Sequence, residues 1–486
     1  MEDVDLRIDR QSIPGLAINL KCYKEMRFSM PGKVFVNRTL NLKRIKYIGL
    51  DMDHTLIRYK SENFEKLSHT MMVEKLVKRG YPDALKKLHF DYHFAVRGLV
   101  IDRKRGNLLK LNRYAAIRAS YHGLKPLDFK THQKLYRSTY IDLSTGDYLA
   151  IDTAFSISLA ILFAQIVDLK DNNPETKYPE YQQIADDVLD ALDEAHRDGS
   201  LKNYVRDHLD QFIIKEPDVV RGLEKFKKHG KKIFILTNSE FFYSKLLLDY
   251  AINPFLKDHK TWNELFEFVI TFAQKPKFFY ENSRYMKIHP DSGLMENVEG
   301  KLVPGGVYQG GGARKFTSDL GVDGDEILYI GDHIYGDILR LKKDCNWRTA
   351  MVIEELDQEI ANNKAADPVN QEIEILMRKK EPFEDELTEL MTKKMDNGGV
   401  TDDARVDELQ KIIAEVDAQI SQLIKKQQSL YNPHWGQIMR AGNEESYFAY
   451  QLERYACVYM NQISHLLDLS PRTYFRAPRR PLSHEI

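Results

Sequence analysis

Two aspartates stand two residues apart in Asp51-Met52-Asp53-His54-Thr55, directly after the apolar run IKYIGL. Hydrolysis of a phosphate ester through a covalent intermediate needs such a pair. One carboxylate attacks phosphorus; the other protonates the leaving oxygen and then activates water. Three further groups of fitting chemistry follow. Thr237-Asn238-Ser239 closes the run KKIFIL and offers a hydroxyl and N–H donors to non-bridging phosphate oxygens. Lys275, after FEFVITFAQ, is a cation that can neutralise charge at a phosphoryl group. Gly331-Asp332-His333-Ile334-Tyr335-Gly336-Asp337 follows EILYI; one of its carboxylates can bind Mg²⁺ with Asp51, and the other can orient the lysine or the metal shell. Magnesium also answers an electrostatic need, because Asp51, Asp332 and a phosphate would repel one another in a closed site. Taken singly, each piece has a plainer reading as a solvated turn, a helix N-cap or a solvated lysine. In this order, each at the end of an apolar run, they form one constellation.

The elements that must position these groups are short apolar runs separated by helical patterns. The runs are those ending in DMD, TNS, the Lys275 region and GDH, with WRTAMVIEE after them; PDVVRGLEKFKKHG and FFYSKLLLDYAI lie between. Strand alternating with helix predicts right-handed crossovers and a parallel sheet covered on both faces, with ligands at the carboxyl ends of its strands. Gly230 stands where a helix C-cap is expected. Some 170 residues separate the first strand from the next, far beyond what a crossover needs. That stretch reads as an inserted domain, mainly helical (HTMMVEKLVKRG, ISLAILFAQIVDL, YQQIADDVLDALDEAHRDG), with a β-hairpin in RGLVIDRKRGNLLKLNRY. The expected division is a discontinuous core of residues 34–60 and 203–360, an inserted cap of 61–202 and a helical C-terminal extension of 361–486. In the extension, Val406, Leu409, Ile413, Val416, Ile420 and Leu423 recur at three- and four-residue steps, a heptad-like seam that fits a helical hairpin, with NGG at 397–399 as its turn. The final segment, YFAYQLERYACVYMNQISHLLDL, reads as an aromatic-rich amphipathic helix packing back on the core. The cluster QGGGAR at 309–314 lacks the Lys-Ser/Thr of a P-loop and reads as a loop before a helix.

Composition fits a soluble globular protein of 486 residues, with 43% hydrophobic and 29% charged residues. The 71 basic and 72 acidic residues give a net charge of -1, which offers no basic field for a nucleic-acid polymer or a membrane surface. Cys22, Cys345 and Cys457 are far apart and match no metal or disulfide spacing, as expected of inert thiols in a reducing compartment. The acidic, polar N-terminus does not read as a signal peptide and no apolar run reaches about 18 residues, so a cytoplasmic location is expected.

DMDHT, TNS, Lys275 and GDHIYGD resemble the four motifs of the haloacid dehalogenase phosphatases. The resemblance is closer to the purine cytosolic 5′-nucleotidases specific for IMP and GMP, which share FVNR, DMDxTL, RGLV, GNLLK, LYIGDHI and GDIL with Phe35–Arg38, Asp51–Leu56, Arg97–Val100, Gly106–Lys110, Leu328–Ile334 and Gly336–Leu339. It implies a Rossmann-like α/β core with a parallel sheet. It implies Asp51 as nucleophile, Asp53 as general acid/base with its carbonyl on the metal, Asp51 and Asp332 as Mg²⁺ ligands, Thr237, Asn238 and Lys275 on the phosphoryl group, and Asp337 behind the metal. It further implies Phe155, Asp193, His196 and Lys202 at the substrate, with Leu189 where the relatives carry arginine. Relatives are tetramers activated by purine nucleotides at a second site, and Tyr335, Lys343, Gln451 and Arg454 match positions near it. The implied partners are thus a purine nucleoside monophosphate, a purine nucleotide effector and copies of the chain. The rival readings are a phosphatase of another small phosphomonoester, and a silent nucleotide sensor on the same fold.

Overall fold

The apolar runs become strands because each is flanked by turn formers and has both faces to bury. The computed structural model describes residues 33–479 without 138, 140, 144 and 397–401, together with 482 and 484. Cys22 and the NGG turn lie outside the described residues. A mixed sheet is built from β1 (Val34–Val36), β2 (Tyr47–Leu50), β3 (Lys232–Leu236), β4 (Phe268–Thr271), β5 (Tyr285–Ile288), β6 (Met295–Asn297), β7 (Gly306–Gly310), β8 (Ile327–Gly331), β9 (Arg348–Val352) and β10 (Val458–Met460). Their order across the sheet is β1-β10-β9-β8-β2-β3-β4-β7-β5-β6. The strands from β10 to β7 run parallel, while β1 at one edge and the β5–β6 hairpin at the other are antiparallel.

Register brings the strand tips level. Leu50 of β2 pairs with Ile330 of β8 on one side and Ile235 of β3 on the other, and Leu236 pairs with Ile270 of β4. Asp51, Thr237, the Lys275 loop and Asp332 therefore leave the sheet side by side. Both faces are covered. One carries Ile48, Leu50, Ile233 and Ile235 with the helix Pro217–Lys228; the other carries Tyr47, Phe234, Tyr329, Phe316 and the fully buried Trp347. Gly230 (φ +80°) ends the helix Pro217–Lys228 in the left-handed region, as expected of a C-cap.

The segment between β2 and β3 carries the expected helices Ser61–Lys78, Ile157–Asn172 and Tyr181–Arg197. Besides them it holds a five-stranded antiparallel sheet, in which the expected hairpin, Leu99–Asp102 with Asn107–Leu111, is joined by Ile117–His122, Lys125–Pro126 and Tyr148–Ile151. The helical hairpin is present as Leu356–Asp396 and Asp403–Gln428; Val406, Leu409 and Ile420 of the predicted seam are buried, and Ile413, Val416 and Leu423 are half-buried. QGGGAR divides differently from expectation: Gln309 and Gly310 complete β7, and the helix Ala313–Leu320 follows. The final aromatic segment is not one helix. Helix Tyr447–Tyr455 stops at Ala456, and Val458–Met460 enter the main sheet as β10 because Ala456–Val458 are buried on all sides, unlike a one-sided helical face.

The return from the hairpin straps the inserted segment to the C-terminal one. Trp435 donates its indole N–H to Phe94 O (2.7 Å), Asn432 donates to His93 O (2.6 Å), and Lys110 Nζ donates to the carbonyls of Trp435 and Gln437. Glu359 accepts from the N–H groups of Ile438 (2.8 Å) and Met439 (3.0 Å). Burial lowers the Lys110 ammonium to about 8. Among the described residues no helix is long and apolar enough to cross a membrane.

Gly49, in the middle of β2, has no room for a side chain: a Cβ there would stand 2.3 Å from the Phe234 ring and 2.7 Å from that of Tyr329. Gly49→Ala should destabilise the protein by about 1–3 kcal/mol through overpacking, measured as a lower urea midpoint at unchanged slope.

Candidate active site

Asp51 follows β2 directly, and its N–H completes the ladder to Ile330 O (2.8 Å). Its Oδ1 accepts from the Met52 N–H (2.7 Å) and faces Lys275 Nζ at 2.8 Å. Lys275 also reaches Asp337 Oδ1 (2.6 Å) and Tyr329 OH (3.0 Å), so its three N–H bonds are spent on three oxygens. Tyr329 donates its own hydroxyl hydrogen to Leu236 O (2.9 Å). The loop that presents Lys275 is held in an unusual shape: Phe272 (φ +46°) and Gln274 (φ +59°) both occupy the left-handed region, rare for non-glycine residues. Cross-bonds to the neighbouring loop keep it there. Phe272 N donates to Ser239 O (2.8 Å) and Ala273 N to Thr237 O (3.0 Å), while Asn238 and Lys275 exchange side-chain–backbone bonds of 2.6 and 3.0 Å. Thr237 is buried with its hydroxyl accepting from Ser239 N (3.0 Å), and the Asn238 residue is exposed.

Asp53 is held differently. Tyr59 OH donates to its Oδ1 (2.7 Å) and Ser239 Oγ to its Oδ2 (2.7 Å); Tyr59 OH in turn meets Tyr243 OH at 3.0 Å. Burial, with the Asp53 carboxylate added, pushes the phenols of Tyr59 and Tyr243 far above their ordinary range, so both stay protonated.

Asp51, Asp332 and Asp337 each offer a carboxylate oxygen within 4.8 Å of the others. Asp337 reaches this position because Gly331 leaves it room; a Cβ on Gly331 would lie 2.4 Å from Asp337 Oδ2. Burial raises the Asp51 carboxyl well above its usual range; Lys275 opposes this, and Asp337, Asp332 and Asp53 add to it. Burial likewise raises Asp332, against the pull of His54 and Arg97. One lysine among four acids leaves uncompensated negative charge, and the donors are all hard oxygens. That set fits a small divalent cation such as Mg²⁺.

Beside Asp53 lies a cluster of rings. Phe155 meets His54 edge-on (4.4 Å), Phe64 (5.2 Å) and His196 (5.8 Å), and His54 stacks on Tyr59 (4.8 Å). Burial, helped by Lys202, lowers His196 to about 4, so its ring is neutral at pH 7. Lys202 Nζ stands 5.3 Å over the Tyr243 ring. Asp193 is not brought in: it lies on the exposed side of the helix Tyr181–Arg197, and its charged neighbours are Asp190 and Arg197. Leu189 packs as a half-buried apolar residue in the inserted segment.

The four residues matched to an effector site cluster loosely. Lys343 and Arg454 both approach the ring of Tyr455 (5.8 and 5.4 Å), Gln451 lies one turn before Arg454 in the same helix, and Tyr335 is half-exposed with Arg340 6.0 Å from its ring. Lys343 lines a cavity of about 920 Å³ with Lys46, Arg314 and Glu326, near the strands' N-terminal ends, whereas Arg454 lines a separate one of about 380 Å³.

Residue patterns alone missed Tyr59, Tyr243, Arg97 and the His54–Glu354 pair, and left Ser239, within the Thr237-Asn238-Ser239 motif, without its role of donating to Asp53. Arg97 is buried, donates to Asp332 O (3.0 Å) and Glu355 Oε1 (3.0 Å), and so ties the inserted segment to the last motif; its one signal was the shared phrase RGLV. His54 Nδ1 lies 3.8 Å from Glu354 Oε2, an ion-pair distance rather than a hydrogen bond. Tyr59 and Tyr243 lie outside any motif and meet only in the fold.

A model of the 5′ nucleotidase family matches residues 34–486. The chain belongs to the 5′ nucleotidase family. It is 29% identical over 468 residues to a 5′-nucleotidase domain-containing protein of Dictyostelium discoideum, covering 94% of this chain and 75% of that one. It is 25% identical over 474 residues to 5′-nucleotidase domain-containing protein 2 of Homo sapiens, covering 94% of this chain and 85% of that one. Membership supports hydrolysis of the 5′-nucleotide phosphatase type.

Lys275→Met removes the cation and leaves Asp51 and Asp337 buried without it. A loss of about 3–5 kcal/mol is expected at pH 7. Burial raises the Asp51 carboxyl, which destabilises the folded state only when ionised, so the deficit should shrink as pH falls through its raised value toward about 4, the unfolded value. Denaturant unfolding at pH 7 and pH 4.5 checks both; an equal deficit at the two would contradict this electrostatic account.

Proposed function

We propose that this protein is a Mg²⁺-dependent purine 5′-nucleotidase that hydrolyses IMP and GMP through an aspartyl-phosphate on Asp51. The observation that carries the assignment of roles is the contrast between the partners of the two aspartates. Asp51 is held by an N–H and an ammonium, which can only donate, so both contacts favour its anion against the burial that raises it. Both contacts fall on Oδ1, leaving Oδ2 to attack. Asp53 is held by hydroxyls, which can donate or accept, so its carboxyl is supported with or without a proton. The first suits a nucleophile and the second a general acid/base.

In the first step an Asp51 oxygen bonds to phosphorus, the bond to the ribose 5′-oxygen breaks, and Asp53 gives that oxygen its proton. In the second, Asp53 takes a proton from water, the water oxygen bonds to phosphorus, and phosphate leaves as Asp51 is regenerated. Lys275 neutralises charge on the transferring group, and Thr237 and Asn238 hold its oxygens. Asp51, Asp332 and the Asp53 carbonyl would hold Mg²⁺, with Asp337 behind them; the ion supplies positive charge to the phosphoryl oxygens. Phe155 and the neutral His196 offer faces and an edge to a purine, with Lys202 nearby, which supports a nucleotide over a sugar phosphate. The segment 61–202 is the cap that carries these residues over the core. The Leu189 side chain offers no charge to the base, so discrimination between hypoxanthine and guanine falls to other groups.

Phosphate release with Mg²⁺ from IMP, GMP, AMP, CMP, UMP and a sugar phosphate tests the reading, beside Asp51→Asn. IMP and GMP should be hydrolysed, with activity lost by about 10³-fold or more in Asp51→Asn and abolished by a chelator. Release only from other esters would keep the chemistry and refute the nucleotide; no release at all would favour a sensor. Phe155→Ala should raise KM for IMP by roughly tenfold, from about 1–3 kcal/mol of lost stacking, while KM for a sugar phosphate stays within about twofold.

A further inference from the structure

The general acid/base of this proposed mechanism must change protonation state twice in each turnover without losing its place. Tyr59 lies on the short strand Arg58–Tyr59, which pairs with Ile213–Ile214 just beyond the inserted segment, and it is 2% exposed. Tyr243 comes from the first turn of the helix Phe241–Ala251, directly after the TNS loop, and is also buried. Two elements far apart in sequence thus meet hydroxyl to hydroxyl at 3.0 Å, behind Asp53.

Proton counting fixes how the chain must run. A phenol has one hydrogen to donate. When Asp53 is ionised, Tyr59 spends its hydrogen on Asp53 Oδ1, so Tyr243 must donate to Tyr59. When Asp53 carries its proton on Oδ1, it can donate to the Tyr59 oxygen, and Tyr59 then turns its hydrogen to the Tyr243 oxygen. Both arrangements keep Asp53 Oδ1 and the Tyr59 hydroxyl bonded, and no heavy atom moves. An arginine in place of Tyr59 would favour only the ionised acid, and a carbonyl only the protonated one.

We propose that Tyr59 and Tyr243 form a reversible hydroxyl relay that positions Asp53 for both of its proton transfers, making them positioning residues for the reaction. The inference rests on the hydrolytic reading above. It separates these tyrosines from a merely structural pair, because general acid help matters in proportion to how poor the leaving group is. A ribose 5′-oxygen needs a proton to leave; p-nitrophenolate does not.

The test compares kcat/KM, which reports phosphoryl transfer to Asp51 and not the later hydrolysis, for IMP and for p-nitrophenyl phosphate. Tyr59→Phe keeps the ring that stacks on His54 and deletes one oxygen. It should lower kcat/KM for IMP by about ten- to a hundredfold and for p-nitrophenyl phosphate by at most about twofold. Tyr243→Phe should act in the same direction and more weakly. The double variant, which leaves no orphaned hydroxyl, should match Tyr59→Phe alone, as members of one chain do. Mg²⁺ affinity by calorimetry should stay at the wild-type value in all three, showing an intact site. Equal losses on the two substrates, no loss on either, or additive losses in the double variant would overturn the relay while leaving the nucleotidase reading in place. A wild-type protein inactive on both esters would overturn that reading and the relay with it.

Discussion

One ammonium group carries the centre of this molecule. Lys275 has three hydrogens and spends them on Asp51, Asp337 and Tyr329, which come from β2, the turn after β8 and β8 itself. Charge alone would drive the acids apart, since burial already raises the Asp51 and Asp332 carboxyls and each carboxylate repels the rest. The lysine makes their approach tolerable, and the strained backbone at Phe272 and Gln274 is the cost of bringing it there. Level strand tips, a glycine at 331 and cross-bonded loops all serve that meeting of charges.

The second constraint is orientation of the inserted segment. Arg97 bonds the backbone of Asp332 and the carboxylate of Glu355, while Lys110, Trp435 and Asn432 fasten the strap between the insertion and the helical hairpin. The aromatic cluster around Phe155 is thereby set against the acids from above. The residues proposed to meet a base, Phe155, His196 and Lys202, all come from the inserted segment, apart in sequence from Asp51 and Asp53.

Much of this was legible in the residues. The strand tips, the acids, the lysine and the crossover helices have local signatures: apolar runs ending in function, helical periodicity, a C-cap glycine. The helical hairpin was legible for the same reason. What stayed hidden was non-local. Tyr59 and Tyr243 look like ordinary core aromatics until the fold brings together two residues 184 positions apart. Asp193 and His196 share a helix, but the small angle between positions three apart sends one to the rings and the other to solvent. Val458–Met460 follow a helix so closely that periodicity cannot separate them; the sheet edge claims them because it has open hydrogen bonds to satisfy.

That last strand carries a consequence for synthesis of the chain. Val34 of β1 pairs with Met460 of β10, and β10 also supplies the partner for the open side of β9. During translation β9 and β1 wait, edge exposed, while the hairpin and its return are made. Contacts this distant in sequence form late and slowly. A chain cut short anywhere in the last 30 residues before β10 would keep every acid of the candidate site and yet present two unpaired edges to its neighbours, the kind of surface on which other strands assemble. β10 therefore acts as a seal on the sheet, and a copy lacking it leaves two strand edges uncovered.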